Sequence, residues 1–160
     1  MPIRTRVILD VDTGTDDAIA IMLAALHPDI ELVGVTTVAG NASLAHTTEN
    51  SLRVLDHIGH EVPVFAGAAG ALVPSTAVSD QSERSRRIHG DLLDLPAARS
   101  TAQPRRAAEF LIDSFPEGGD VVLVPTGPLT NIATALTLDP GLAARIPRLV
   151  LMGGSHVRAN

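Results

Sequence analysis

The segment VILDVDTGTDDAIAIML (Val7–Leu23) constrains the fold more than any other in the chain. An apolar run from Arg6 to Val11 passes through the turn TGT into a helical run over Asp16–His27, with Pro28 at its end. A continuous apolar run of this length marks a strand buried on both faces. The helix that follows is apolar almost all round, so it too is expected to be buried. A strand feeding directly into a helix begins a βαβ unit and implies a parallel sheet at the centre of the molecule. The same segment carries Asp10, Asp12, Asp16 and Asp17, with no basic residue between them.

The alternation continues along the chain. IELVGVTTVAG (Ile30–Gly40) reads as a second strand and Ala42–Ile58 as a second helix closed by Gly59. VPVFAGAAGAL gives a short strand and a turn. Val73–Gln103 has no clear period, and a loop of that length is usually functional or disordered. Arg105–Phe115 resumes helical spacing, Asp120–Gly127 is a strand, Leu129–Leu138 a helix and Arg148–Gly154 a last strand. The class is α/β with a mainly parallel sheet flanked by helices. The 160 residues suit one domain or part of a larger one. Ligands of such sheets sit beyond the C-terminal ends of the strands. DVDTGTDD, PTGPLTN and MGGSHVRAN lie at such ends, and Asn41 follows the second strand.

Crowded carboxylates need an explanation. Two unit charges ~4 Å apart repel by about 4 kcal/mol at an effective dielectric near 20. A helix N-terminus returns only ~0.3–1 kcal/mol to each of Asp16 and Asp17. A divalent cation resolves the conflict, and oxygen-only ligands point to Ca2+ or Mg2+ rather than zinc. Composition narrows the chemistry further. Without cysteine there are no disulfides, zinc thiolates or cysteine nucleophiles, and without lysine no mechanism that requires one. The net charge of −6 offers no basic field for nucleic acid or anionic membrane. No apolar run approaches the ~18 residues of a membrane span, and MPIRTRVILD lacks the form of a secretory signal. A soluble cytoplasmic protein is expected.

Three schemes place carboxylates in this way. An EF-hand loop requires a preceding helix and a glycine at its sixth position; here a strand precedes, and Gly14 is fifth from Asp10. A haloacid-dehalogenase-like, Mg2+-dependent phosphatase has D-x-D after a strand with the first Asp as nucleophile. ILDVDTG resembles that motif and VVLVPTG its second, although the family's usual lysine is missing. The third scheme is hydrolysis of an N-glycosidic bond by water activated on a metal.

ILDVDTGTDDAIAIMLA resembles the N-terminal signature of the inosine–uridine-preferring nucleoside hydrolases, D-x-D-x-G-x-D-D. GVTTVAGNASLAHTTENSLRVL (Gly34–Leu55), VPTGPLTNIATAL (Val124–Leu136) and LVLMGGSHVRAN (Leu149–Asn160) resemble that family's next three blocks in order. The resemblance implies the nucleoside hydrolase fold, a Rossmann-like, mainly parallel sheet, and a Ca2+-dependent cleavage of ribonucleosides to base and ribose. It implies that Asp12 binds Ca2+ and acts as general base, that Asp17 chelates the same ion, and that Thr126 supplies a backbone carbonyl. It gives Asp16 a ribose hydroxyl, Asn41 the orientation of sugar and water, and Asp10 a supporting place behind them. Met152 would pack by the ribose and Asn160 would reach its 5′ end. His89, in RIHGDLLD, resembles an HG motif near the base pocket, although a leucine replaces the usual later glycine.

Other residues take plainer expectations. His27, His46, His57 and His60 read as surface residues, His156 as a loop residue, Thr130 and Asn131 as a helix start, and ERSRR (Glu83–Arg87) as a solvated face.

The resemblance also implies a longer chain. Residues 1–160 are expected to form the N-terminal part of a single domain that is truncated here, with sugar contacts and a His–Asp pair beyond Asn160. A fragment of this kind is expected to turn over weakly or not at all, whereas full-length members form homodimers or homotetramers. A non-catalytic nucleoside-binding fragment is the remaining alternative to an enzyme.

Overall fold

The computed structural model describes residues 4–73 and 90–154. Its elements run β1 (Thr5–Val11), α1 (Thr15–Leu26), β2 (Ile30–Thr37), α2 (Leu44–Ile58), β3 (Val64–Ala66), α3 (Ala107–Ser114), β4 (Val122–Pro125), α4 (Thr130–Leu138), α5 (Leu142–Arg145) and β5 (Arg148–Leu149). The strands form one sheet in the order β3-β2-β1-β4-β5, and every pairing is parallel. Among the described residues, no helix is long and apolar enough to cross a membrane.

The period-2 alternation of β1 divides the interior. Val7, Leu9 and Val11 pack with Ile21 of α1 and with Leu52 and Leu55 of α2. Ile8 faces the other way, into a second core with Leu111 of α3, Ile132 of α4 and Leu142 of α5. β1 is therefore covered on both faces, which explains its unbroken apolar run. The chain first moves outward from β1 to β2 and β3, then returns to β4 on the opposite side of β1. That reversal places the topological switch point between β1 and β4, where parallel sheets open a crevice.

Several sequence expectations are corrected. α1 is not buried all round: Ala18, Ile21 and Ala24 are buried, but Ile19 and Leu23 are 65% and 60% exposed. Apolar composition identifies the helix, but only its packed face is decided by neighbours. β2 ends at Thr37, because the chain turns through Gly40 once Val38 N–H has bonded to the Val11 carbonyl. β5 has two paired residues instead of the whole run to Gly154, although Val150 and Met152 still donate singly to Leu123 and Pro125. α5 was not anticipated, being too short to show a period; Arg145 fixes it by donating to the Phe115 carbonyl at 2.8 Å.

Residues 90–103 contain no helix or strand, as the lack of period implied, yet they are firmly tied down. Asn50 Oδ1 accepts from Leu93 N–H, Arg53 donates to the Leu93 and Leu95 carbonyls, Glu49 accepts from Ala98 N–H, and Asp56 accepts from Arg99 and Ser100 N–H. The segment is a strap along α2.

Candidate active site

The crevice is built from the end of β1 outward. Asp10, the sixth residue of β1, shares the side of the sheet taken by Ile8 and is fully buried. Its Oδ1 accepts from Thr36 Oγ1 at 2.5 Å and from Asn131 Nδ2 at 2.8 Å. Burial pushes its pKa up to about 6 even though both bonds pull the other way. Its backbone carbonyl accepts from Thr126 and Gly127 N–H at 2.9 and 3.2 Å, which joins the β4–α4 loop to β1.

Asp12 and Asp17 are both buried, at 8% and 4% exposure, and their carboxyls adjoin. Asp12 Oδ2 also accepts from Asn41 N–H at 2.7 Å, and Asp17 Oδ1 from Thr126 Oγ1 at 2.6 Å. Burial raises the pKa of both carboxyls, Asp17 to about 6, and the nearby Asp16 charge adds to the rise. Asp16 itself is exposed, one residue before Asp17 in the first turn of α1.

Two glycines permit this crowding. A Cβ at Gly40 would fall 2.2 Å from Asp12 Oδ2, and one at Gly127 would fall 2.8 Å from Asp12 N and 2.9 Å from Asp12 Oδ1. Both glycines are needed for close approach; neither has positive φ. From the α2 side, Asn50 Nδ2 donates to the Thr13 carbonyl, and Ser51 Oγ meets Thr13 Oγ1 at 2.7 Å.

The predicted residues thus fall into three groups. Asp10, Asp12, Asp17, Asn41 and Thr126 come together, with Asp16 beside them. Met152 lies at the same sheet end, where its N–H donates to the Pro125 carbonyl, and its side is open at 60% exposure. His89, Asn160 and His156 lie outside the described residues. Asn131 needs correction. Far from merely starting α4, it is buried and bonds to Asp10, to the Thr37 carbonyl and to Ala68 N–H. The one sequence cue was its place in the third block, because partners this distant leave no local pattern.

The donor set fits a hard divalent cation in part. Asp12 and Asp17 present adjoining carboxyls that are costly to ionise together, which is the condition a cation relieves. Thr126 lies against Asp17 and adds oxygen atoms. Among the described residues, no group of three or more His, Cys, Asp or Glu is arranged to hold a metal. Asp10, the nucleophile of a phosphatase reading, is fully buried, with Oδ1 held by Thr36 and Asn131.

Fold and crevice together define a parallel α/β protein with an oxygen-lined acidic site at its switch point. The chain belongs to the inosine-uridine preferring nucleoside hydrolase family, whose profile matches residues 7–160. It is 40% identical over 158 residues to the pyrimidine-specific ribonucleoside hydrolase RihB of Escherichia coli (strain SE11), an alignment covering 98% of this chain and 50% of the relative. Among solved structures, the purine-preferring ribonucleoside hydrolase from Gardnerella vaginalis superposes with a TM-score of 0.86 at 39% identity, over 94% of this chain and 49% of that one. An inosine-guanosine nucleoside hydrolase gives 0.79 at 34% identity, over 96% and 49%. The chain spans about half the length of the curated relatives it matches.

Proposed function

We propose that the crevice binds the ribose of a ribonucleoside beside a divalent cation, Ca2+ by the family resemblance, and that the complete domain hydrolyses the N-glycosidic bond to free base and ribose. The observation that carries this reading is the convergence of Asp12 and Asp17, both buried and raised in pKa, in a member of this family. A bound cation supplies a Lewis acid that makes water a better nucleophile near neutral pH.

Asp12 and Asp17 would hold the cation, joined by the Thr126 carbonyl. Asp12 would also act as general base toward the attacking water, within reach of the same ion. Asp16, exposed in the first turn of α1, accepts a hydrogen bond from a ribose hydroxyl. Asn41 orients sugar and water, with its N–H already committed to Asp12. As the base departs, the sugar gains oxocarbenium character, which the surrounding carboxylates stabilise. Met152 packs against the ribose, and Asn160 and His89 complete the sugar and base contacts. Asp10 supports the set from behind.

The relatives' names divide between pyrimidine-specific and purine-preferring enzymes, so we assign this crevice to the sugar they have in common. Residues 1–160 form the N-terminal part of one domain. Ca2+ takes six to eight oxygen ligands, and two carboxylates with one carbonyl leave most of them to be supplied elsewhere. The isolated chain therefore binds the ion weakly and has little turnover, whereas the whole cytoplasmic enzyme assembles as a homodimer or homotetramer. Ribose release from inosine and uridine, with Ca2+ or with chelator, tests the reading on the longest available chain. Support is chelator-sensitive release that Asp12→Ala abolishes; release indifferent to both overturns it.

A further inference from the structure

We infer that Asn131 is a positioning residue for the cation arm of the crevice: by locking Asp10 to the ends of β2 and β3, it fixes the carbonyl on which Thr126 and Gly127 hang. The consequence for cation binding rests on the function proposed above; the lock itself stands on geometry.

Asparagine is a poor helix residue and is normally explained by capping. Asn131 does not cap: it is the second residue of α4, and Leu129 occupies the cap position. Its carboxamide spends its hydrogen bonds on the sheet. Nδ2 donates to Asp10 Oδ1 at 2.8 Å, on β1, and to the Thr37 carbonyl at 3.0 Å, on β2. Oδ1 accepts from Ala68 N–H at 2.8 Å, just past β3. One side chain thus joins three strand ends. Gly67 makes room for it, since a Cβ there would sit 2.0 Å from Asn131 Oδ1. No apolar residue, and no residue lacking both donor and acceptor, can replace it.

From Asp10 the restraint passes onward. The Asp10 carbonyl accepts from Thr126 and Gly127 N–H. Thr126 Oγ1 then reaches Asp17 Oδ1, and Gly127 lies against the Asp12 backbone and carboxyl. A shift of Asp10 is therefore felt by both carboxyls proposed to hold the cation, although Asn131 is not itself given any contact with ion or sugar.

The test uses Asn131→Ala and Asn131→Asp in the full chain. The second variant keeps the acceptor for Ala68 but has at most one O–H, so it cannot hold Asp10 and Thr37 together as the amide does, and it serves if the first does not fold. Amide hydrogen exchange should accelerate at least ~10-fold at Thr126 and Gly127 relative to the amides of Val122–Val124. Calorimetric titration should show Ca2+ affinity weakened by about 10- to 100-fold, the usual effect of losing a residue that orients metal ligands. Unchanged exchange at Thr126 and Gly127, or an equal rise across β4, overturns the inference and leaves Asn131 a general stabiliser. If the unsubstituted chain takes up no cation, the reading of the crevice fails instead, and the exchange data still decide the lock.

Discussion

Two groups of carboxylates in this chain are held in opposite ways. Asp10, Asp12 and Asp17 are buried at the end of β1, and burial raises the pKa of each. Glu49 and Asp56 lie along α2 and fasten the strap of residues 90–103; hydrogen bonds lower both pKa values, from Arg53 first for Glu49 and from Ser100 N–H first for Asp56. The strap carboxylates are satisfied as anions by the chain itself. The crevice carboxylates are not, so folding alone leaves them wanting a proton or a cation. Carboxylates that cost stability where they stand are the mark of a site shaped for something else.

The contrast can be broken first by pH. An aspartate with a raised folded-state pKa binds its proton more tightly when folded, so its contribution to stability falls as pH rises from the unfolded value through the folded one. For Asp10 and Asp17 that window runs from 3.8 to about 6. Denaturant unfolding of cation-free protein should therefore show stability falling from pH 4 to pH 7, by on the order of 3 kcal/mol for each of these two carboxyls. A flat or rising profile would remove the distinction between the two groups.

Asp17→Asn sharpens it. At pH 8 without cation the variant should be more stable than the parent by ~2 kcal/mol, since a costly buried charge is gone. It should also lose any stabilisation by Ca2+. Thermal unfolding with and without the ion reads both effects, and a less stable variant would count against the account.

Gly40→Ala probes the packing that brings the crevice together. The added methyl would fall on Asp12 Oδ2, and Asp12 must move. Ca2+ affinity measured by titration should fall about 10-fold, or ~1.4 kcal/mol. An unchanged affinity would separate Asp12 from the ion.

The smallest effect belongs to the strap. Glu49→Gln loses charge-assisted bonds from Arg53 and Ala98 at a half-buried site and should cost up to ~1 kcal/mol at pH 7. The sign opposes that of the crevice: stability from Glu49 is present above its unfolded pKa and is lost as pH falls through the lowered folded value. Urea unfolding at pH 7 and pH 3 should show the cost of the substitution at the first and not at the second.

Much of this was legible in the sequence because it is local. The β1 run, the turn and the acidic start of α1 are contiguous, so strand, helix and carboxylate cluster could be read together. Alternating strands and helices likewise implied the parallel sheet, and four blocks in order implied the family. What escaped was set by distant partners. Asn131 is 121 residues from Asp10, and nothing near it in sequence distinguishes a sheet lock from a helix start. Gly40 and Gly127 read as the last residues of strand runs, although their task is to admit Asp12. RVILDV and RLVLM look alike, but among the described residues only the first is paired on both edges and covered on both faces; Leu149 and Leu151 remain 46% and 48% exposed. Apolar composition names a strand, and its neighbours decide how far it is buried.

The central claim is that the acidic end of β1 is completed by a divalent cation. Isothermal titration of Ca2+ into the chain at pH 7.5, beside Asp12→Ala, tests it most directly. The account predicts saturable uptake of one ion per chain, accompanied by proton release and absent from the variant. Identical heats for the two proteins, or no uptake at millimolar Ca2+, would contradict it.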